Sequence, residues 1–178
     1  MIRSLVLGSL CTIALTLPAL ITPALGENAS LLGAFGNWTA YSVGSGDSMT
    51  CFAMSRPRAV EPKRGLKRGS IYLIVSDYPA RKVKAEAEIV PGYQYKEKAP
   101  VTLEIGEDKF AFFARNEAKE GAAWISSLGD APRLIDAMSK GVSAVALGSP
   151  IKGAKSVDTY SLAGFPDALA KIHATCNM

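Results

Sequence analysis

A chain of 178 residues, 48% hydrophobic and 20% charged, has the composition of a folded domain with a sizeable core; no internal repeat or low-complexity tract runs through it. A formal net charge of +4 is modest, and beyond the first 26 residues one histidine and two cysteines, the latter better used in a disulfide, supply too few ligands for a zinc site.

Residues 1–26 read as a secretory signal peptide. Arg3 gives a positive start, Leu5 to Leu20 is mostly apolar, and Ala24-Leu25-Gly26 sets small residues at the cleavage positions. Residues 27–178 then form a single β-rich domain with no transmembrane span. Cys11 falls inside the leader, and Gly8-Ser9-Leu10 does not give the small residue that a lipoprotein signal wants just before its cysteine. The exported part keeps Cys51 and Cys176. In an oxidising compartment an even pair reads as one disulfide.

Next come short strands. Leu31 to Tyr41 ends in a strand around Trp38, Gly44 to Ser48 is a turn, and Met49 to Ser55 returns as a strand carrying Cys51. Arg56 to Arg68 breaks the pattern with two prolines, a glycine and six basic residues. Gly69 to Tyr78 is the strongest strand, aromatic and β-branched. Lys84 to Val90 alternates charged and apolar side chains, and Tyr93 to Tyr95 is a short aromatic link.

Val101 to Ile105, a turn at Gly106 to Asp108, and Lys109 to Arg115 predict a hairpin. Ala122 to Ser126 around Trp124 is a further strand. Asp130 is placed to cap a helix with Leu134, Ile135 and Met138 inside and Gly141 past its end. Val142 to Leu147 is an apolar strand. In the last strand Tyr160 and Leu162 turn inward. Gly164-Phe165-Pro166 then starts a helix whose apolar face is Phe165, Leu169, Ile172 and Cys176. About nine strands with short turns and two short helices, one of them C-terminal, predict a mainly β fold. Its form is an antiparallel β-sandwich or a curled sheet.

Chemistry-bearing motifs are sparse. His173 is the lone histidine, and a Ser–His–Asp site would have to use it from the side of a helix. Glu104, Glu107 and Asp108 cluster at a hairpin turn, where charged residues are ordinarily solvated. Neither glycine-rich stretch has the spacing of a phosphate loop. No catalytic, metal or cofactor-binding residue is therefore assigned.

The basic segment is the feature with functional content. Arg56, Arg58, Lys63, Arg64, Lys67 and Arg68 against Glu61 give +5. Without Arg3 the exported part has 19 basic and 16 acidic residues, so everything outside the segment is −2. Such a patch attracts anionic envelope or host-surface components. The plainer reading is a solvated loop that guards a sheet edge. No aromatics interleave its charges, and nucleic acid is not an expected partner.

Several blocks carry a resemblance. They are Phe35-Gly36-Asn37-Trp38, Cys51 to Ser55, Gly69 to Leu73, Phe110 to Phe113, and Asp158-Thr159-Tyr160-Ser161-Leu162 with Gly164-Phe165 and Cys176. In this order, from Leu32 to Cys176, they resemble the invasion-associated locus B family. The resemblance implies a β-rich protein exported by a Gram-negative bacterium, in the periplasm or at the outer cell surface. It brings no enzymatic activity and no cofactor. Some members carry a cysteine shortly after the tryptophan; Ser42 stands near that place here, so a second disulfide is not expected. The reading is an exported, non-enzymatic binding protein of the envelope or a host surface. An envelope hydrolase with a cleft-based site is the alternative.

Overall fold

The computed structural model describes residues 29–178, so the leader and its cleavage site lie outside the described residues. Eleven strands and two helices follow in chain order. The strands are β1 (Ser30–Phe35), β2 (Trp38–Val43), β3 (Thr50–Ser55), β4 (Ala59–Glu61), β5 (Tyr72–Tyr78), β6 (Val83–Val90), β7 (Val101–Ile105), β8 (Asp108–Glu117) and β9 (Glu120–Ile125). After them come helix α1 (Ala131–Lys140), β10 (Ser143–Gly148), β11 (Ser156–Ser161) and helix α2 (Phe165–Cys176).

All strands join one antiparallel sheet in the order β1-β2-β3-β5-β6-β9-β8-β7-β10-β11-β4. The sheet is curled and not closed, which selects the curled sheet over the sandwich. Alternation sorts its faces: Trp38 and Ala40, Cys51 and Ala53, Leu73 and Val75, and Val101, Leu103 and Ile105 all point inward and are buried. Small residues on β6 and β10 (Ala85, Ala87, Ala144, Ala146) leave room for Trp38, Phe110, Tyr160 and Phe165 in the same core.

Two strands lie where the sequence reading had none. Leu31 to Tyr41 is a hairpin, because Gly36-Asn37 makes a two-residue turn with Phe35 paired to Trp38 and Gly36 at φ 56°. The basic segment contains β4, which pairs with β11 through Val157↔Glu61 and Thr159↔Ala59. Asp130 precedes α1 but does not cap it; its carboxylate lies 3.5 Å from Arg133 Nη2. Tyr95 is more than a link: its backbone N–H donates to Asn116 Oδ1 and its carbonyl accepts from Asn116 Nδ2, both at 2.8 Å.

Helix α2 packs on β1, β2, β3 and β5. Phe165, Ala168, Ile172 and Cys176 are its buried residues, and Leu169 is only partly covered. Phe165 meets Trp38 with ring centroids 4.8 Å apart. Gly164 begins the helix at φ 89°, where a side chain would run into the carbonyl of Phe35. Cys51 and Cys176 form the expected disulfide, bridging residues 125 apart with Cα atoms at 6.0 Å.

Candidate functional site

The curl brings the two ends of the sheet together. Only Arg56-Pro57-Arg58 separates β3, near one end, from β4, the strand at the other. Trp38 Nε1 donates to the Ser161 carbonyl at 3.0 Å, Asn37 N–H to Ala163 at 3.0 Å, and Arg58 N–H to Thr159 at 2.7 Å. The first two bonds hold a seam where no ladder closes the sheet, and the third prolongs the β4–β11 pairing.

The basic segment is laid along this seam, and its six cations have two fates. Arg56, Arg58, Lys63, Arg64 and Lys67 are exposed. Arg68 is not: its side chain is 7% exposed, its guanidinium grips both carboxylate oxygens of buried Asp158 at 2.6 and 2.5 Å, and Nε donates to the Pro91 carbonyl. Burial alone would lower the pKa of Arg68; the hydrogen bond and charge of Asp158 outweigh it and hold the guanidinium charged. Tyr93 lies beneath, its ring 5.2 Å from the guanidinium and its hydroxyl 2.6 Å from Ser156 Oγ. Burial raises the pKa of Tyr93, Tyr95 and Tyr160. The Tyr160 hydroxyl has no hydrogen-bond partner among the described residues. Arg68 therefore stands apart from the exposed cations and joins the core.

The remaining five cations fall on either side of β4, about 10 Å long for its three residues. Lys63, Arg64 and Lys67 occupy the loop beyond it. Arg56 and Arg58 flank Pro57 at the rim of a hollow of about 490 Å³. Asn37, Thr39, Tyr41 and Tyr72 complete its wall over Met54, and no acidic residue lines it. Arg56 lies over the Tyr72 ring at 4.8 Å and donates from Nη2 to the hydroxyl at 2.7 Å. The sequence alone offered no signal for Tyr41 or Tyr72 here, because each reaches the hollow from a strand outside the basic segment.

His173 holds a structural post. Its Nδ1 lies 2.6 Å from Oδ2 of Asp77, which is fully buried and accepts the Ala85 N–H at its other oxygen. Asp77 pairs across the sheet with Cys51, and His173 sits one turn before Cys176, so the pair fastens α2 beside the disulfide. Glu104 pairs with Lys109 at 2.9 Å and Asp108 with Arg133 at 2.7 Å, ordinary contacts of an exposed hairpin. No helix among the described residues is long and apolar enough to cross a membrane.

The family model described as invasion associated locus B (IalB) protein matches residues 38–173, running from Trp38 of β2 to His173 of α2. The chain belongs to the IalB family. Among solved structures, invasion associated protein B from Bartonella henselae is similar at a TM-score of 0.57 and 14% identity, covering 82% of this chain and 98% of that one. At that identity the likeness shows a shared fold. No curated protein sequence matches the chain. The IalB match takes in β4 and the whole basic segment, so these are parts of the family's domain and not an appended tail.

Proposed function

We propose that this IalB-family protein is an exported, non-enzymatic binder that attaches to an anionic component of the cell envelope or a host surface. Arg56, Arg58, Lys63, Arg64 and Lys67 make the attachment. The observation that carries this reading is the exposure of five cations along one edge of the sheet, on a chain that is otherwise slightly negative. Charge gathered in this way raises the local concentration of anions and speeds encounter. The short edge strand β4 also blunts the sheet against pairing with other chains, and the same cations serve both tasks.

The leader over residues 1–26 belongs to this reading, with cleavage before Glu27. N-terminal sequencing of the exported protein should start within a couple of residues of Glu27; an intact Met1 in the membrane fraction would contradict it. Attachment is tested by co-sedimentation with phosphatidylglycerol vesicles and with phosphatidylcholine vesicles. Wild type should pellet with the first and not the second. A variant with the five cations changed to Ser should pellet with neither. Equal pelleting of wild type and variant would reject the reading.

A further inference from the structure

Charge alone does not describe the seam, because the two arginines nearest it frame a hollow while the other three cations stand on an open loop. We propose that this hollow binds a sugar ring bearing a phosphate or carboxylate, with Arg56 and Arg58 holding the anionic group. The proposal rests on the anionic-component reading above and names the ligand chemistry at one part of that surface.

Four observations carry it. First, the anion grip is built. The Arg58 N–H is bonded to Thr159, and proline between the two arginines restricts the backbone, so both guanidinium stems start from a fixed frame. Each guanidinium is a planar fork that matches two oxygens of a phosphate or carboxylate. Arg56 spends one donor on the Tyr72 hydroxyl and stays oriented by that ring, and the Arg58 side chain has no acidic partner among the described residues.

Second, the rest of the lining is not made for a bare anion. Tyr41 and Tyr72 offer ring surface and hydroxyls, and Asn37 and Thr39 add donors and acceptors. A sugar presents C–H faces to rings and hydroxyls to such groups. Third, Tyr41 is braced, stacked on Phe52 at 5.3 Å with planes 21° apart, so its surface is ordered before a ligand arrives. Fourth, about 490 Å³ falls in the range of small-molecule sites, and no carboxylate in the lining would repel an acidic ligand. Lys63, Arg64 and Lys67 have none of this framing and serve as point charges toward an extended surface.

The test is an amide-shift titration of the ¹⁵N-labelled exported protein with four probes: glucose 1-phosphate, glucuronate, glucose and inorganic phosphate. The two acidic sugars should move the amides of Thr39, Tyr41, Arg58 and Tyr72 saturably. They should bind at least tenfold more tightly than glucose or phosphate. Arg56→Gln with Arg58→Gln should weaken acidic-sugar binding at least tenfold. Lys63→Ser with Arg64→Ser and Lys67→Ser should leave it within twofold. Phosphate binding as tightly as glucose 1-phosphate would overturn the proposal, as would acidic sugars that bind the double-Gln variant unchanged or shift amides elsewhere. The same proteins on phosphatidylglycerol vesicles separate the two readings. Vesicle binding without acidic-sugar binding leaves the surface reading standing and removes the hollow. Acidic-sugar binding at these amides without vesicle binding does the reverse.

Discussion

Arg68 and Lys67 are adjacent in sequence and opposite in role, because one reaches Asp158 and the other reaches water. Removing Arg68 leaves a buried carboxylate unpaired beside an unpartnered tyrosine hydroxyl, so Arg68→Ser should destabilise the protein by about 3–5 kcal/mol. Lys63→Ser, Arg64→Ser and Lys67→Ser together should shift stability by less than about 0.5 kcal/mol, as exposed substitutions do. Denaturant midpoints of the two variants check this contrast, and equal midpoints would contradict it. Glu88 makes a second residue-scale case. It sits on the outward face between Ile74 and Trp124, its cross-strand neighbours. Burial there, with Glu86 nearby as a like charge, raises its pKa above the ordinary value of 4.5. The folded state therefore holds this proton to higher pH than the unfolded chain does. Stability falls as pH rises from about 4.5 through the folded value, and the loss persists at neutral pH. Glu88→Gln should raise the thermal midpoint at pH 7 and flatten its fall between pH 4 and pH 7. A lower midpoint at pH 7 would count against this account.

At the scale of elements, α2 is fastened three ways: by its buried face against Trp38, by the Asp77–His173 contact, and by the disulfide. The bond closes a loop spanning most of the domain, worth about 4–5 kcal/mol in the chain-entropy model. Cys51→Ser, Cys176→Ser and the double variant should each lose roughly 2–5 kcal/mol and by similar amounts, since each lacks the same bond. Hydrogen exchange should quicken first in α2. Midpoints with and without reductant, beside a thiol count on the unfolded protein, measure it; two free thiols without reductant would contradict the bond. The helix, its apolar face and its cysteine were legible in the sequence because periodicity and a start signal are local. Strand β1 carries a local signal as well: Gly-Asn between two apolar runs is a two-residue hairpin turn. Strand β4 carried none. Its three residues form a strand only because β11 lies beside them, and β11 is about a hundred residues away in the chain. Arg68 was misplaced for the same reason, since its partner is 90 residues on.

For the whole molecule, the decisive feature is the curl that brings the start of β2 against the end of β11 at a seam held by bonds from Asn37 and Trp38. Composition located the excess of charge but not its division between core and surface, which depends on that closure. What results is a disulfide-fastened domain with five exposed cations at one edge and two of them framing a hollow. Attachment made by exposed charges weakens as salt shortens their reach, to about 10 Å at 0.1 M. The direct measurement is the affinity of wild type for phosphatidylglycerol vesicles from low to physiological salt, beside the five-Ser variant of unchanged thermal midpoint. The account predicts a steep fall with salt for wild type and weak, nearly salt-independent binding for the variant. Tight binding that ignores both salt and the five substitutions would contradict it.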